Sequence, residues 1–273
     1  MAVSSEFKHN LELRSLTGTA LVVVLLSFLY LGSLWWHGFA AVIALGSLWE
    51  YYRMANGLPR AAEAVGCAGA AAILLLPLSV SQTGLLAILG LCCFFVFFIE
   101  VIRRHLTGDS HSCQSVGVVT AGLAYTVIPW YMMIRLREIP GIGWGAVLSV
   151  FLCTWACDVM AYLVGSRWGT AKVCPNVSPG KSAEGFVGGL VASLMCGALC
   201  ALSFGVRPLA YILVGLACGT LGQIGDLVES VIKRECGVKD SGSILPGHGG
   251  FLDRFDSILV NALCAWIIWG LVL

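Results

Sequence analysis

The chain has 273 residues, of which 58% are hydrophobic and only 11% charged, and a formal net charge of +1. A soluble domain carries roughly 25% charged residues, so that class is excluded. The apolar runs are long enough for helices rather than barrel strands, which makes this an all-α integral membrane protein. A net charge so close to zero names no partner; no nucleic-acid partner is expected, and the information lies in where the charges sit. The 12 cysteines fall mostly inside apolar runs, without CxxC or a Cys/His set of zinc spacing, and read as small packing residues.

In chain order, Lys8 and Arg14 precede a first apolar run with no small-residue cleavage site after Leu31, so it reads as a retained span. Apolar runs bounded by Gly, Pro and charge predict a polytopic bundle of about nine helices. Their expected limits are 16–31, 34–51, 61–78, 84–101, 116–134, 144–166, 183–204, 209–228 and 257–273. Residues 1–142 hold five of these helices, and residues 143–273 hold the other four with two charged loops. If the N-terminus is cytoplasmic, all 16 basic residues except Arg135, Arg137 and Arg207 fall on the inner side. Both charged loops then face the cytoplasm, and an odd number of helices puts the C-terminus outside. Arg103, Arg104, His105 and His111 read as charge that sets this topology.

Ionisable groups inside spans are costly and usually face a polar cavity. Asp158 lies within the sixth helix and Asp226 near the inner end of the eighth. Asp226, Glu229, Ser230 and Lys233 follow i, i+3, i+4, i+7 spacing, a polar stripe on an otherwise apolar helix. Between the sixth and seventh helices comes Ser178-Pro179-Gly180-Lys181-Ser182-Ala183-Glu184-Gly185. Gly180-Lys181-Ser182 resembles the end of a P-loop, but the required earlier glycine falls at Pro175 and no strand is expected before it. What remains is Lys181 at a helix N-terminus, where free backbone N–H groups favour anions, or else an interfacial Lys that snorkels. Glu184 pairs with Lys181 or sits near a metal; the spacing does not choose.

The densest charge in the chain runs from Ser230 to Asp256. Lys233, Arg234, Lys239 and Arg254 suit phosphate, and Gly242, Gly247, Gly249 and Gly250 with Pro246 make a loop whose backbone can approach a ligand. Asp240 and His248 lie in the same loop; His248 could bond a phosphate, move a proton or orient the backbone. Asp253 and Asp256 share a face if a helix starts near Phe251. Acids in a first turn can simply complement the helix dipole, but two of them around Arg254 exceed that need. Asp226 and Asp253 together suit Mg²⁺, which takes one or two carboxylates plus substrate phosphates. The whole suggests a phosphate-handling cleft at a membrane surface.

Ser230-x-x-Lys233-Arg234, Lys239-Asp240 and Pro246-Gly247-His248-Gly249-Gly250-x-x-Asp253-Arg254-x-Asp256 resemble the C-terminal signature of CDP-diacylglycerol synthases, the phosphatidate cytidylyltransferases. Ser178-Pro179-x-Lys181-Ser182-x-Glu184-Gly185 and Asp158-x-x-Ala161-Tyr162 with Gly165 and Gly169 are similar to two further motifs of that family. The first five helices match only in hydrophobic character. Two positions depart: Gly180 stands where Lys or another polar group is common, and Val159-Met160 where the family has a small pair. The second leaves open how closely the sixth helix approaches its neighbour.

The resemblance implies a polytopic inner-membrane enzyme that joins CTP and phosphatidate to give CDP-diacylglycerol and pyrophosphate. It further implies Mg²⁺ (or Mn²⁺), a contribution from K⁺, and a homodimer, with residues 143–273 as the catalytic region and residues 1–142 as a scaffold and candidate dimer surface. Carried onto this chain, Asp226 and Asp253 would be metal ligands, with Asp256 and Asp158 as further candidates. Lys181, Lys233, Arg234, Lys239 and Arg254 would contact phosphate, with Ser178, Ser182, Glu184, Asp240, Gly249 and Gly250 lining the substrate site. A CTP-dependent lipid kinase of the dolichol-kinase type is the nearest alternative and would keep His248 as a base. A CDP-archaeol synthase is a narrower variant of the same chemistry. A transporter is the distant alternative, disfavoured because the intramembrane charges collect on one side.

Overall fold

The computed structural model describes residues 2–55, 57–75, 82–245, 247 and 249–273, and the side chains of these except 2–16, Ser33 and Gln82. Among the described residues the helices are α1 (Ala2–Leu31), α2 (Ser33–Met54), α3 (Arg60–Leu74), α4 (Gln82–Thr107), α5 (Ser112–Arg137), α6 (Gly143–Trp168), α7 (Ala183–Phe204), α8 (Pro208–Glu235) and α9 (Leu252–Val272). Six of them, α4 through α9, are long and apolar enough to cross a membrane, and Thr17–Leu31 in α1 is a shorter apolar stretch. The protein is therefore a helical, multi-pass membrane protein. Lipid offers backbone N–H and C=O groups no partners, so spans of this kind must satisfy them internally. Phe94, Phe95, Phe97 and Phe98 stand exposed on α4, as they would against acyl chains.

Gly32, at φ 70°, separates α1 from α2. The third helix ends at Leu74; the rest of its expected run, to residue 78, lies outside the described residues. α8 continues to Glu235 instead of stopping near 228, because its last two turns carry the polar stripe and lie along the site. Between α6 and α7 the chain forms a two-stranded hairpin where a loop is expected. β1 (Lys172–Cys174) pairs antiparallel with β2 (Ser178–Ser182), Lys172 opposite Ser182 and Cys174 opposite Ser178. Strands this short offer no hydrophobic alternation to read, so nothing in the sequence announces them.

Two helices contain a π turn. In α5 it covers Leu123–Val127, just before Pro129, whose ring would collide with the Tyr125 carbonyl in a regular helix. In α8 it covers Cys218–Gly222, where the Gln223 side-chain amide donates to the carbonyls of Gly219 (2.6 Å) and Phe186 (3.0 Å).

Two kinds of packing hold the bundle. Aromatic rings join α2, α5, α6 and α9: Trp36 lies 6.4 Å from Trp130 and 6.2 Å from Phe151, and Trp130 meets Phe255 edge-on at 5.1 Å. By contrast, α6, α7 and α8 meet through small residues. A Cβ on Gly185 would strike Ala161 and Gly165 of α6, and one on Gly197 would strike Tyr211 and Gly215 of α8. Lipid tails are as apolar as the helices, so close backbone approach supplies the attraction between them. Val159 and Met160 are 56% and 38% exposed and point away from this seam. The departure at those two positions therefore does not widen it.

Candidate active site

Two cavities open at one end of the bundle and share Asp158 and Asp226. The larger, about 600 Å³, lies between the ends of α6, α7 and α8 and the hairpin. Its wall is part apolar, with Tyr162, Phe186 and Leu227, and part polar, with Lys172, Ser178 and Lys181. The smaller, about 340 Å³, lies between α8 and α9 and is lined by Glu229, Lys233, Asp240, Asp253, Arg254 and Asp256 besides the shared acids.

Lys181 stands at the junction. Its Nζ is 2.8 Å from Asp226 Oδ2 and donates to the Gln223 carbonyl at 3.1 Å. β2 delivers it there, and Ser182, immediately after, caps α7 by accepting the Gly185 N–H at 3.2 Å. Capping fixes where the hairpin ends and so where Lys181 points. Glu184 does not join this group. It accepts the Thr170 hydroxyl and the Ala171 N–H, tying the start of the hairpin to the first turn of α7.

The carboxylates sort into two sets. Oxygens of Asp226, Glu229 and Asp256 lie within 4.8 Å of one another, the first two from the stripe on α8 and the third from α9. Glu229 is 1% exposed; its Oε2 lies 2.6 Å from Lys233 Nζ, and its Oε1 has no hydrogen-bond partner. Three converging hard oxygen donors, one buried and unpartnered, fit a divalent cation such as Mg²⁺. Asp253, expected to share an ion with Asp226, lines the same cavity but stands outside this group of three. Its Oδ1 meets Lys233 Nζ at 2.8 Å, and its Oδ2 accepts from Ser241 N (2.9 Å), Ser241 Oγ (2.9 Å) and Gly250 N (2.8 Å). Asp253 thus fastens the loop before α9 with one oxygen and meets Lys233 of α8 with the other, and it lines the smaller cavity. Lys233 bridges the two sets, Glu229 on one side and Asp253 on the other.

Of the remaining expected residues, Asp158 borders both cavities, and Asp240 and Arg254 face the smaller one. Ser178 and Ser182 line the larger. Arg234 and Lys239 are exposed and stand outside both linings. Gly249 adopts φ 83°, a conformation that a Cβ would strain. His248 lies outside the described residues.

Sequence reading missed Glu50. This α2 carboxylate is fully buried, accepts the N–H groups of Phe251 (3.0 Å) and Leu252 (2.9 Å), and lies 3.1 Å from Ser241 Oγ. The available signal was an acid in an apolar run, costly unless it has partners. Tyr51, Tyr52 and Arg53 beside it give the local sequence the composition of a helix end at the interface.

The sequence pattern of the cytidylyltransferase family matches residues 12–272. Among curated proteins, the phosphatidate cytidylyltransferase of Staphylococcus haemolyticus is 34% identical over 255 residues, covering 91% of this chain and 95% of that protein. That of Staphylococcus aureus strain COL is 33% identical over 252 residues, with the same two coverages. The Bacillus subtilis phosphatidate cytidylyltransferase is 40% identical over 157 residues, 56% of this chain and 58% of its own length. With its motifs gathered around the two cavities and the match running almost end to end, the chain belongs to the cytidylyltransferase family, among relatives named phosphatidate cytidylyltransferase.

Proposed function

We propose that this membrane protein joins CTP and phosphatidate to give CDP-diacylglycerol and pyrophosphate, at the junction of the two cavities. The single observation that carries the mechanism is the convergence there of three carboxylates and two lysines from the hairpin, α8 and α9. The difficulty of the reaction is electrostatic. Two polyanions must meet in a cleft of low dielectric, where their repulsion is far larger than in water. Phosphatidate is already deprotonated near neutral pH, so the site needs cations and alignment more than a base.

Phosphatidate oxygen attacks the α-phosphorus of CTP, the bond from that phosphorus to the bridging oxygen breaks, and pyrophosphate leaves with the electron pair. Asp226, Glu229 and Asp256 would hold a divalent ion, Mg²⁺ or Mn²⁺, which when bound supplies positive charge against the triphosphate and the departing pyrophosphate. Lys181, held by Asp226 and the Gln223 carbonyl, presents a fixed ammonium to the larger cavity. Lys233, held between Glu229 and Asp253, does the same in the smaller one, where the exposed Arg254 adds a second cation. Such preset charges act on the transition state without having to reorganise. The polar cavity suits the polyphosphate. The larger one, with Tyr162, Phe186 and Leu227, suits a lipid headgroup and the start of its acyl chains.

The orientation follows from charge. Placing the site in the cytoplasm, where CTP is supplied, agrees with the basic residues at the end of α2, the start of α3 and the end of α4 and in the two charged loops. Nine spans would then put the C-terminus outside the inner membrane. Purified protein given CTP, phosphatidate and Mg²⁺ should release pyrophosphate and form CDP-diacylglycerol in equal amounts. Release of CDP instead would establish the lipid-kinase alternative.

A further inference from the structure

We propose that Glu50 is a positioning residue for the transfer reaction, holding the first turn of α9 and thereby setting where Asp253 and Asp256 stand. The proposal rests on the functional reading above and extends it to a residue that touches neither cavity.

The geometry is that of an anchor. Both Glu50 oxygens are committed to the start of α9, Oε1 to Phe251 N–H and Oε2 to Leu252 N–H. Those are among the first N–H groups of a helix, which have no partner within the helix itself. A carboxylate from another helix satisfies them here and complements the helix dipole as well. The Ser241 hydroxyl has one proton and two carboxylates within reach, Glu50 Oε2 at 3.1 Å and Asp253 Oδ2 at 2.9 Å. Glu50 and Asp253 are thus coupled through one side chain. The loop is also closed around the anchor. A Cβ on Gly242 or Gly250 would overlap the Glu50 carboxylate, so both glycines are required by its presence.

Asp253 and Asp256 are three residues apart on the turn that Glu50 fixes, and Asp256 is one of the three converging acids. A shift of this turn would move Asp256 relative to Asp226 and Glu229 on α8. Loss of the anchor should therefore reach the chemistry through geometry alone. Misplacement of about 1 Å by a remote mutation can cost on the order of 10²-fold in rate.

The test compares E50Q and E50A with E100Q in the purified full-length protein. Glu100 is a matched control. It is 1% exposed and accepts from Ser115 Oγ at 2.6 Å and His111 N at 2.9 Å, but it joins α4 to α5 and makes no contact with the loop. E50Q keeps the shape while replacing one acceptor oxygen with a donor, so it remains informative if E50A fails to fold. We expect E50Q to lower kcat by about 10²-fold, with KM for both substrates within about threefold of wild type. The shift in unfolding temperature should be no larger than that of E100Q, whose kcat should hardly change. Amide exchange at 251 and 252 should accelerate in E50Q, and E50Q with S241A together should cost less than the product of the two single losses. A folded E50Q with kcat within twofold of wild type would overturn the proposal. So would equal kcat losses in E50Q and E100Q that follow the folded fraction. If wild-type protein forms no CDP-diacylglycerol, it is the functional reading that fails. The exchange measurement needs no substrate and judges the anchor separately, with unchanged protection at 251 and 252 refuting it.

Discussion

The two segments that close the site are held in different ways. The hairpin between α6 and α7 is secured by its own neighbourhood: β1 pairs with β2, Ser182 caps α7, and Glu184 reaches back 14 residues to Thr170. The segment before α9 is secured from across the chain, by a Glu50 that lies 202 residues before Leu252. Local fastening makes the hairpin a unit that can be perturbed piece by piece. Long-range fastening makes the second segment dependent on how the first helices pack. One site therefore has one side that its own sequence largely specifies and another that only the assembled bundle can specify.

The sharpest way to break this comparison is at the point where both sides meet. D226N and D256N should each reduce CDP-diacylglycerol formation on the order of 10³-fold while the protein stays folded, measured in single-turnover assays with CTP and phosphatidate. Near-normal turnover in either would remove the acid cluster from the mechanism. G250A comes next. The new methyl overlaps Glu50, so activity should fall about 10²-fold, and E50Q should not add its full loss on top. Full additivity would mean that the two residues do not share one anchor.

K181A probes the hairpin side. Losing a preset ammonium should lower kcat/KM by roughly 10²-fold and leave amide exchange in the 241–252 loop unchanged. If that loop also loosens, the two sides are not independently fastened. The smallest effects belong to the hairpin's own fastenings. E184Q should cost less than about tenfold, because the group it alters is solvent-exposed. G180A should shift stability by no more than about 0.5 kcal/mol, since a Cβ there meets nothing within 4 Å. Thermal unfolding and initial rates would check both. A larger loss from G180A than from G250A would invert the comparison.

The helical membrane architecture is written in the order of the residues, because continuous apolar runs of span length are stable in lipid as helices. That order also determined the polar stripe Asp226–Glu229–Lys233, since helical periodicity alone puts those residues on one face. Lys181 at a helix start and the acids opening α9 were legible for the same reason: each is a relation between residues a few positions apart. The tertiary structure decided what periodicity cannot express. It set Asp253 between the loop and Lys233, while Asp256 converges with Asp226 and Glu229. It gave Glu184 to the hairpin rather than to Lys181, and it brought Glu50 to the amides at the start of α9. The physical reason is that a buried carboxylate must find donors wherever packing leaves them, and packing brings together residues that the chain keeps far apart.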